Sequence, residues 1–179
     1  MNEPCQPQAN SAGQLRAAAK PGRAEYRRNL PHLQADGKPV YLTFCTRNRW
    51  TLPESVRSAV LAHCLHDHGH KIFVFGAVVM PDHVHMVFLP LRDADGGAYT
   101  LAEITGGIKG ASAHSVNKSL GRKGSVWQDE SYDRTLRSEE SISEKVEYIC
   151  ANPVRKGLCR SDNEYPWLWR EWIEGRTQS

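Results

Sequence analysis

Residues 72–79 (Ile-Phe-Val-Phe-Gly-Ala-Val-Val) and 83–89 (His-Val-His-Met-Val-Phe-Leu) are two runs of strand-forming residues separated only by Met80-Pro81-Asp82. Their length, β-branched and aromatic content and the Pro-Asp turn signal predict two consecutive strands. In a strand, side chains at i and i+2 share a face. His83, His85, Val87 and Leu89 therefore point one way, and Val84, Met86 and Phe88 the other. Apolar residues on both faces call for an interior strand covered by helices. Two imidazoles projecting together form half of a metal site. A lone H-x-H is more often a buried pair bonded to backbone, so the rest of the chain must decide.

Pro39 to Thr46 reads as the first strand, left by a basic loop, Arg47-Asn48-Arg49. Pro53 opens a helix to about His68, with Val56, Val60, Cys64 and Leu65 as its apolar face. His63, His66, His68 and His70 crowd its end, where histidine and Gly69 are natural terminators; this is a capping region rather than a metal site. Pro90 and an Asp/Gly-rich run to Gly97 form a loop. Thr100 and Glu103 make a capping box before a stripe of Leu101, Ile104, Ile108 and Ala111, with Lys109 off the stripe and exposed. Gly106, Gly107 and Gly110 weaken that helix and leave room for a backbone or ligand. Another strand begins at Val126-Trp127-Gln128 and runs to Thr135.

Ser138 to Asn152 predicts a helix stopped by Pro153. Ile142, Val146 and Ile149 form its narrow apolar face, and Ser141, Lys145, Tyr148 and Asn152 a separate polar stripe. Tyr148 and Asn152 are thus neighbours one turn apart, off the packing seam. Tyr165, Trp167, Trp169 and Trp172 are expected to pack over the core edge, with base stacking as the lesser alternative. The element order predicts an α+β fold, a ferredoxin-like split βαβ antiparallel sheet with helices on one side.

A chain of 179 residues is expected to be one domain burying roughly 70% of its unfolded surface. The boundaries expected are a disordered extension over 1–22, a single domain over 23–165 and an aromatic tail over 166–179. No apolar run is long enough to cross a bilayer, and no signal-peptide pattern opens the sequence. Five scattered cysteines without a C-x-x-C argue against a zinc ribbon or disulfide framework and fit a reducing cytoplasm. The net charge of +3 is uneven: residues 1–50 carry eight Lys/Arg against three Asp/Glu. That is the footprint of a polyanion partner and equally of a flexible tail, and Arg27 and Arg28 beside Tyr26 can clamp phosphates or belong to a solvated arm.

A tyrosine hydroxyl can attack a phosphate and hold it as a phosphotyrosine, splitting one strand transfer into two easier steps. With a free pKa of about 10 it is a weak nucleophile and needs a cation on the phosphate. His83 and His85 offer that cation two ligands and the Asn152 amide oxygen a third. Mixed imidazole and amide donors suit Mn²⁺, or Mg²⁺ retaining several waters. Other H-x-H chemistries fit less well: a histidine-triad hydrolase needs a further His where Val87 stands, and a cupin site a Glu where Leu89 stands.

Five motifs in order make the chain resemble the REP-associated tyrosine transposases, a branch of the single-tyrosine HUH transposases related to the insertion-sequence enzymes. They are Arg27-Arg28-Asn29-Leu30-Pro31-His32, Tyr41-Leu42-Thr43-Phe44, Val79-Met80-Pro81-Asp82-His83-Val84-His85, Trp127-Gln128 with Tyr132-Asp133-Arg134, and Tyr148-Ile149-Cys150-Ala151-Asn152-Pro153-Val154-Arg155-Lys156-Gly157-Leu158. The resemblance runs from about Arg27 to about Trp167. It implies cleavage of single-stranded DNA beside imperfect palindromic hairpins, with the 5′ phosphate joined to the tyrosine. Residue by residue, Tyr148 matches the nucleophile, His83 and His85 the metal pair, and Asn152 the polar residue completing the site. Arg27, Arg28, Arg47, Arg49, Lys109, Arg155 and Lys156 are the expected DNA contacts. Cys150 and Ala151 stand where relatives often carry His and Leu, at positions without a mechanistic role. The expected protein is a monomer or homodimer in the bacterial cytoplasm, nucleoid-associated when bound to DNA. The competing reading is a domesticated hairpin-binding protein that does not cleave.

Overall fold

The computed structural model describes residues 37–136 and 142–171; Arg27, Arg28, Trp172 and the beginning of the helix predicted from Ser138 lie outside the described residues. The strands are β1 (Val40–Thr46), β2 (Ile72–Val79), β3 (His83–Pro90), β4 (Trp127–Thr135) and β5 (Leu168–Arg170). The helices are α1 (Glu54–Leu65), α2 (Leu101–Ser119), α3 (Ile142–Cys150) and the short α4 (Asn152–Arg155). The sheet order is β4-β1-β3-β2-β5, every neighbouring pair antiparallel, so the histidine strand is central. This is the predicted split βαβ arrangement with one strand added at the β2 edge.

Two cores flank the sheet. On one side Leu42, Phe44, Val84, Met86 and Phe88 join Val56, Val60 and Cys64 of α1 and Ile104, Ile108 and Val116 of α2. A second cluster joins Val78 and Val87 to Val146, Ile149 and Cys150 of α3 and to Tyr165. Helices thus cover both faces, not one as expected. The cause is β2 and β3 themselves: apolar on both sides, they need a cover on each.

Several expected details shift. Helix α1 stops at Leu65 rather than near His68, because a turn closed by Gly69 at φ +79 takes over. Two histidines of the expected capping region make contacts beyond the helix end: His63, inside the last turn of α1, bonds Ser115 at 2.8 Å and ties α1 to α2, and the Val74 N–H donates to His68 Nδ1 at 3.1 Å. Among the described residues no group of three or more His, Cys, Asp or Glu side chains is arranged to hold a metal. The capping box of α2 forms with both of its bonds, but the buried stripe runs through Ser112 and Val116, and Ala111 is exposed. Ser112 Oγ donates to Ile108 O at 2.6 Å and accepts from Trp127 Nε1 at 3.0 Å, which satisfies a buried indole. Gly106, Gly107 and Gly110 face open space, so among the described residues no backbone uses the room they leave.

The C-terminal aromatics are more integral than an edge cover. Tyr165 Oη donates to Val79 O at 2.9 Å, and Trp167 Nε1 to Ser58 Oγ at 3.1 Å, while β5 pairs Leu168 with Val78 and Arg170 with Gly76.

Gly76 carries helix α3. A bulge falls between Val74 and Gly76, and a Cβ added at Gly76 would lie 3.2 Å from Val146 Cγ1 and 3.3 Å from Ile149 Cδ1. Gly76→Val is therefore expected to overpack this contact at a cost of roughly 1–3 kcal/mol. Thermal melting should show a fall in Tm of about 2–4 °C per kcal/mol. Because α3 also bears Tyr148, activity should fall further than the lost stability explains; an unchanged Tm would show that α3 is not seated on Gly76.

Candidate active site

The face of the sheet under α3 is lined in alternation by Tyr41 and Thr43 of β1, His83 and His85 of β3, and Tyr132 of β4. Register sets the contacts: Thr43 lies opposite His85 and Cys45 opposite His83. The two imidazoles meet edge to face, with His83 Nε2 and His85 Nε2 3.1 Å apart. Two nitrogens bound at a right angle to one ion, each at roughly 2.1 Å, sit roughly 3.0 Å apart. The observed separation is that of a hydrogen bond between the two rings, and it also matches two nitrogens sharing a divalent cation.

Each remaining ring nitrogen has a partner. His83 Nδ1 lies 2.6 Å from Asp82 Oδ1, and His85 Nδ1 lies 2.7 Å from Thr43 Oγ1 and 3.0 Å from Tyr41 Oη. Partners on the far nitrogen orient a ligating imidazole and fix the tautomer it presents. Burial, helped by the charges of His83 and Arg49, pushes His85 down to about 3, so it is neutral at physiological pH, as a ligand must be. Burial raises Asp82, but the hydrogen bond and charge of His83 outweigh it, with Arg49 adding to them, and hold the carboxyl below its ordinary value.

Tyr148 projects from α3, 44% exposed. The Lys145 ammonium lies 5.2 Å from its ring centre and 5.2 Å from that of Tyr41, which in turn stacks on His85 at 5.7 Å. Tyr41 and Lys145 therefore link the nucleophile candidate to the histidines on one face. Arg155 lies over the Tyr148 ring at 4.8 Å. Two cations against an exposed phenol make a surface suited to a phosphodiester.

Asn152 departs from its expected place. It is buried, at 8%, and begins α4 instead of continuing the exposed stripe of α3. Its Nδ2 donates to Tyr148 O at 3.2 Å, while Pro153 starts a further turn that runs to Arg155. The reason lies at the junction: the side-chain amide takes the carbonyl at the end of α3, and proline is well tolerated in a first turn. Pro153 thus kinks the helical path and does not end it.

The expected DNA contacts divide. Arg47 is 3.8 Å from Asp129, and Arg49 donates to Asp82 Oδ2 at 3.1 Å. Lys109, expected to be exposed, is half-buried and donates to Asp129 O at 3.0 Å and Ser131 Oγ at 3.2 Å, anchoring α2 to β4; burial lowers its pKa. Lys156 is exposed at the end of α4, and Arg27 and Arg28 lie outside the described residues. Sequence reasoning passed over Asp82, Tyr41, Thr43 and Lys145 as site residues. The adjacency of Asp82 to His83, the i−3 spacing of Lys145 from Tyr148 and the two-residue period of β1 were the available signals.

No protein-family model matches the chain. A curated protein of Haemophilus influenzae, provisionally named a REP-associated tyrosine transposase, is 24% identical over 116 residues, or 62% of this chain and 64% of the relative. A solved structure of a REP-associated tyrosine transposase bound to a REP hairpin covers 82% of each chain at 22% identity with a TM-score of 0.58, a likeness that establishes the fold. A transposase structure from Deinococcus radiodurans, likewise provisionally named, has a TM-score of 0.45 at 17% identity, too loose to add to the comparison. In sequence and in fold, the chain is similar to the REP-associated tyrosine transposases.

Proposed function

We propose that the protein is a metal-dependent endonuclease and strand transferase for single-stranded DNA, acting beside imperfect palindromic hairpins through a 5′-phosphotyrosine. The observation that carries this reading is the convergence of His83 Nε2 and His85 Nε2 at 3.1 Å on the face that also bears Tyr148. A hairpin substrate is drawn from the structural relative, whose structure holds one. A Mg²⁺ or Mn²⁺ ion held by His83 and His85, with the Asn152 amide oxygen as a further donor, would supply Lewis acidity to the scissile phosphate. The chain's own groups do the rest. Tyr148 Oη forms a bond to phosphorus and gives its proton to solvent, while the bond to the 3′ oxygen breaks and that oxygen leaves as a protonated hydroxyl. Lys145 and Arg155 hold the phosphodiester against the phenol. Attack by a second 3′ hydroxyl on the phosphotyrosine returns the tyrosine and joins the strands.

The test is nicking of a hairpin-bearing single-stranded oligonucleotide with Mn²⁺. Cleavage is expected with Mn²⁺ and abolished by EDTA, while hairpin binding in a mobility-shift assay survives chelation. Binding without cleavage under any divalent ion would instead establish the domesticated binding module.

No helix among the described residues is long and apolar enough to cross a membrane.

A further inference from the structure

Asn48 and Arg49 hold φ angles of +53° and +56°, two successive non-glycine residues in the left-handed region. That backbone is unfavourable for L residues and persists where the surroundings impose it, often at functional sites. Here the surroundings are the turn that leads into His83. Buried Thr46 donates its N–H to Asp82 O at 2.9 Å, and its Oγ1 lies 2.6 Å from Trp50 O and 3.1 Å from Asp82 O, one proton serving both. Leu52 N–H donates to Pro81 O at 2.6 Å, and Met80 N–H to His83 O at 2.8 Å. Segment 46–52 is thereby stitched to segment 80–83 at both ends of the strained pair.

The strained pair has one visible product: the Arg49 guanidinium reaches Asp82 Oδ2 at 3.1 Å. The other carboxylate oxygen, Oδ1, is 2.6 Å from His83 Nδ1. An ionised carboxylate only accepts, so in the neutral ring Nδ1 carries the proton and the lone pair is left on Nε2. Nε2 is the atom that faces His85. The hydroxyls of Thr43 and Tyr41 can donate to or accept from His85 Nδ1, so His85 can carry its proton on Nε2 for the bond to His83 in the cation-free protein and on Nδ1 when both Nε2 atoms face a cation.

We propose that Arg49 is a positioning residue, not a DNA contact: held by the left-handed Asn48-Arg49 turn, it anchors Asp82, and Asp82 fixes His83 in the Nδ1–H tautomer with Nε2 presented to the cation. The proposal rests on the reading of His83 and His85 as cation ligands. Partners of this kind change metal affinity 10- to 100-fold when removed, because the ring is then free to turn and to change tautomer. Arg49 is an exposed side chain, so replacing it leaves the core intact.

The test measures the chain without DNA. Imidazole ¹⁵N NMR of the cation-free wild type at mildly alkaline pH should show His83 as Nδ1–H, with mixed tautomers in Asp82→Ala and Arg49→Ala. Calorimetric titration with Mn²⁺ should show a 10- to 100-fold loss of affinity for Asp82→Ala. A smaller loss in the same direction is expected for Arg49→Ala, with recovery in Arg49→Lys. If the wild type takes up no Mn²⁺, the ligand reading fails, while the tautomer measurement still decides the link from Arg49 to His83. Arg49→Ala matching the wild type in tautomer and Mn²⁺ affinity overturns the proposal. So does Arg49→Ala losing only hairpin affinity, since Arg49 would then be a phosphate contact.

Discussion

Tyr148→Phe is expected to abolish the covalent protein–DNA adduct and to lower strand cleavage by roughly 10³-fold or more, as loss of a nucleophile does elsewhere. Hairpin binding should stay within a few-fold of the wild type. The fold should be indifferent, because Tyr148 is half exposed and substitutions at such positions usually change stability by no more than about 0.5 kcal/mol. Lys145 and Arg155 keep their places against the phenylalanine ring, since only the hydroxyl is lost. The measurement is a denaturing gel of protein incubated with labelled oligonucleotide, beside a mobility shift of the same sample. Adduct formation by Tyr148→Phe would move the nucleophile elsewhere.

His83→Ala and His85→Ala should each reduce Mn²⁺-dependent cleavage by more than about 100-fold, since removing a mere outer partner of a metal ligand already costs 10- to 100-fold. The double variant should be little worse than either single one, because both rings serve one cation and groups acting as a unit are strongly non-additive. Stability separates the two. His85 bonds Thr43 and Tyr41 within the site, so His85→Ala strands those hydroxyls at a cost of roughly 1–3 kcal/mol. His83 bonds Asp82, which keeps Arg49, so His83→Ala should be milder. Cleavage rates should therefore be taken well below each variant's Tm. Additive losses would mean that the histidines act separately.

The chain's periodicities disclosed most of the fold. The strand period placed His83 and His85 on one face and made their strand interior, and the sheet order puts it at the centre. The capping box located the start of α2 to the residue. What stayed hidden depends on contacts distant in sequence. β5 is three residues long, too short to show alternation, and its pairing with β2 is made by backbone. The helix register favoured Ala111, yet Ser112 is buried, because its hydroxyl meets Trp127. Tyr41 and Thr43 lay in a recognised strand, but their approach to His85 follows from a register between strands forty residues apart. Arg49 and Lys109 looked like exposed cations, and only the folded chain reveals Asp82 and Ser131 within their reach. At the site, the residue types were legible from the sequence and the partners holding them were not.

Whether Tyr148 forms the bond to DNA is read out by mass mapping of the adduct. Wild-type protein is incubated with Mn²⁺ and a hairpin-bearing strand, the DNA is trimmed with nuclease, and the digested protein is sequenced by mass spectrometry. The expected product is a nucleotide attached through a 5′ phosphate to Tyr148, in the peptide that continues into Ile149-Cys150-Ala151. Attachment at Tyr41, Tyr132 or any other residue, or a 3′ linkage at Tyr148, would contradict it.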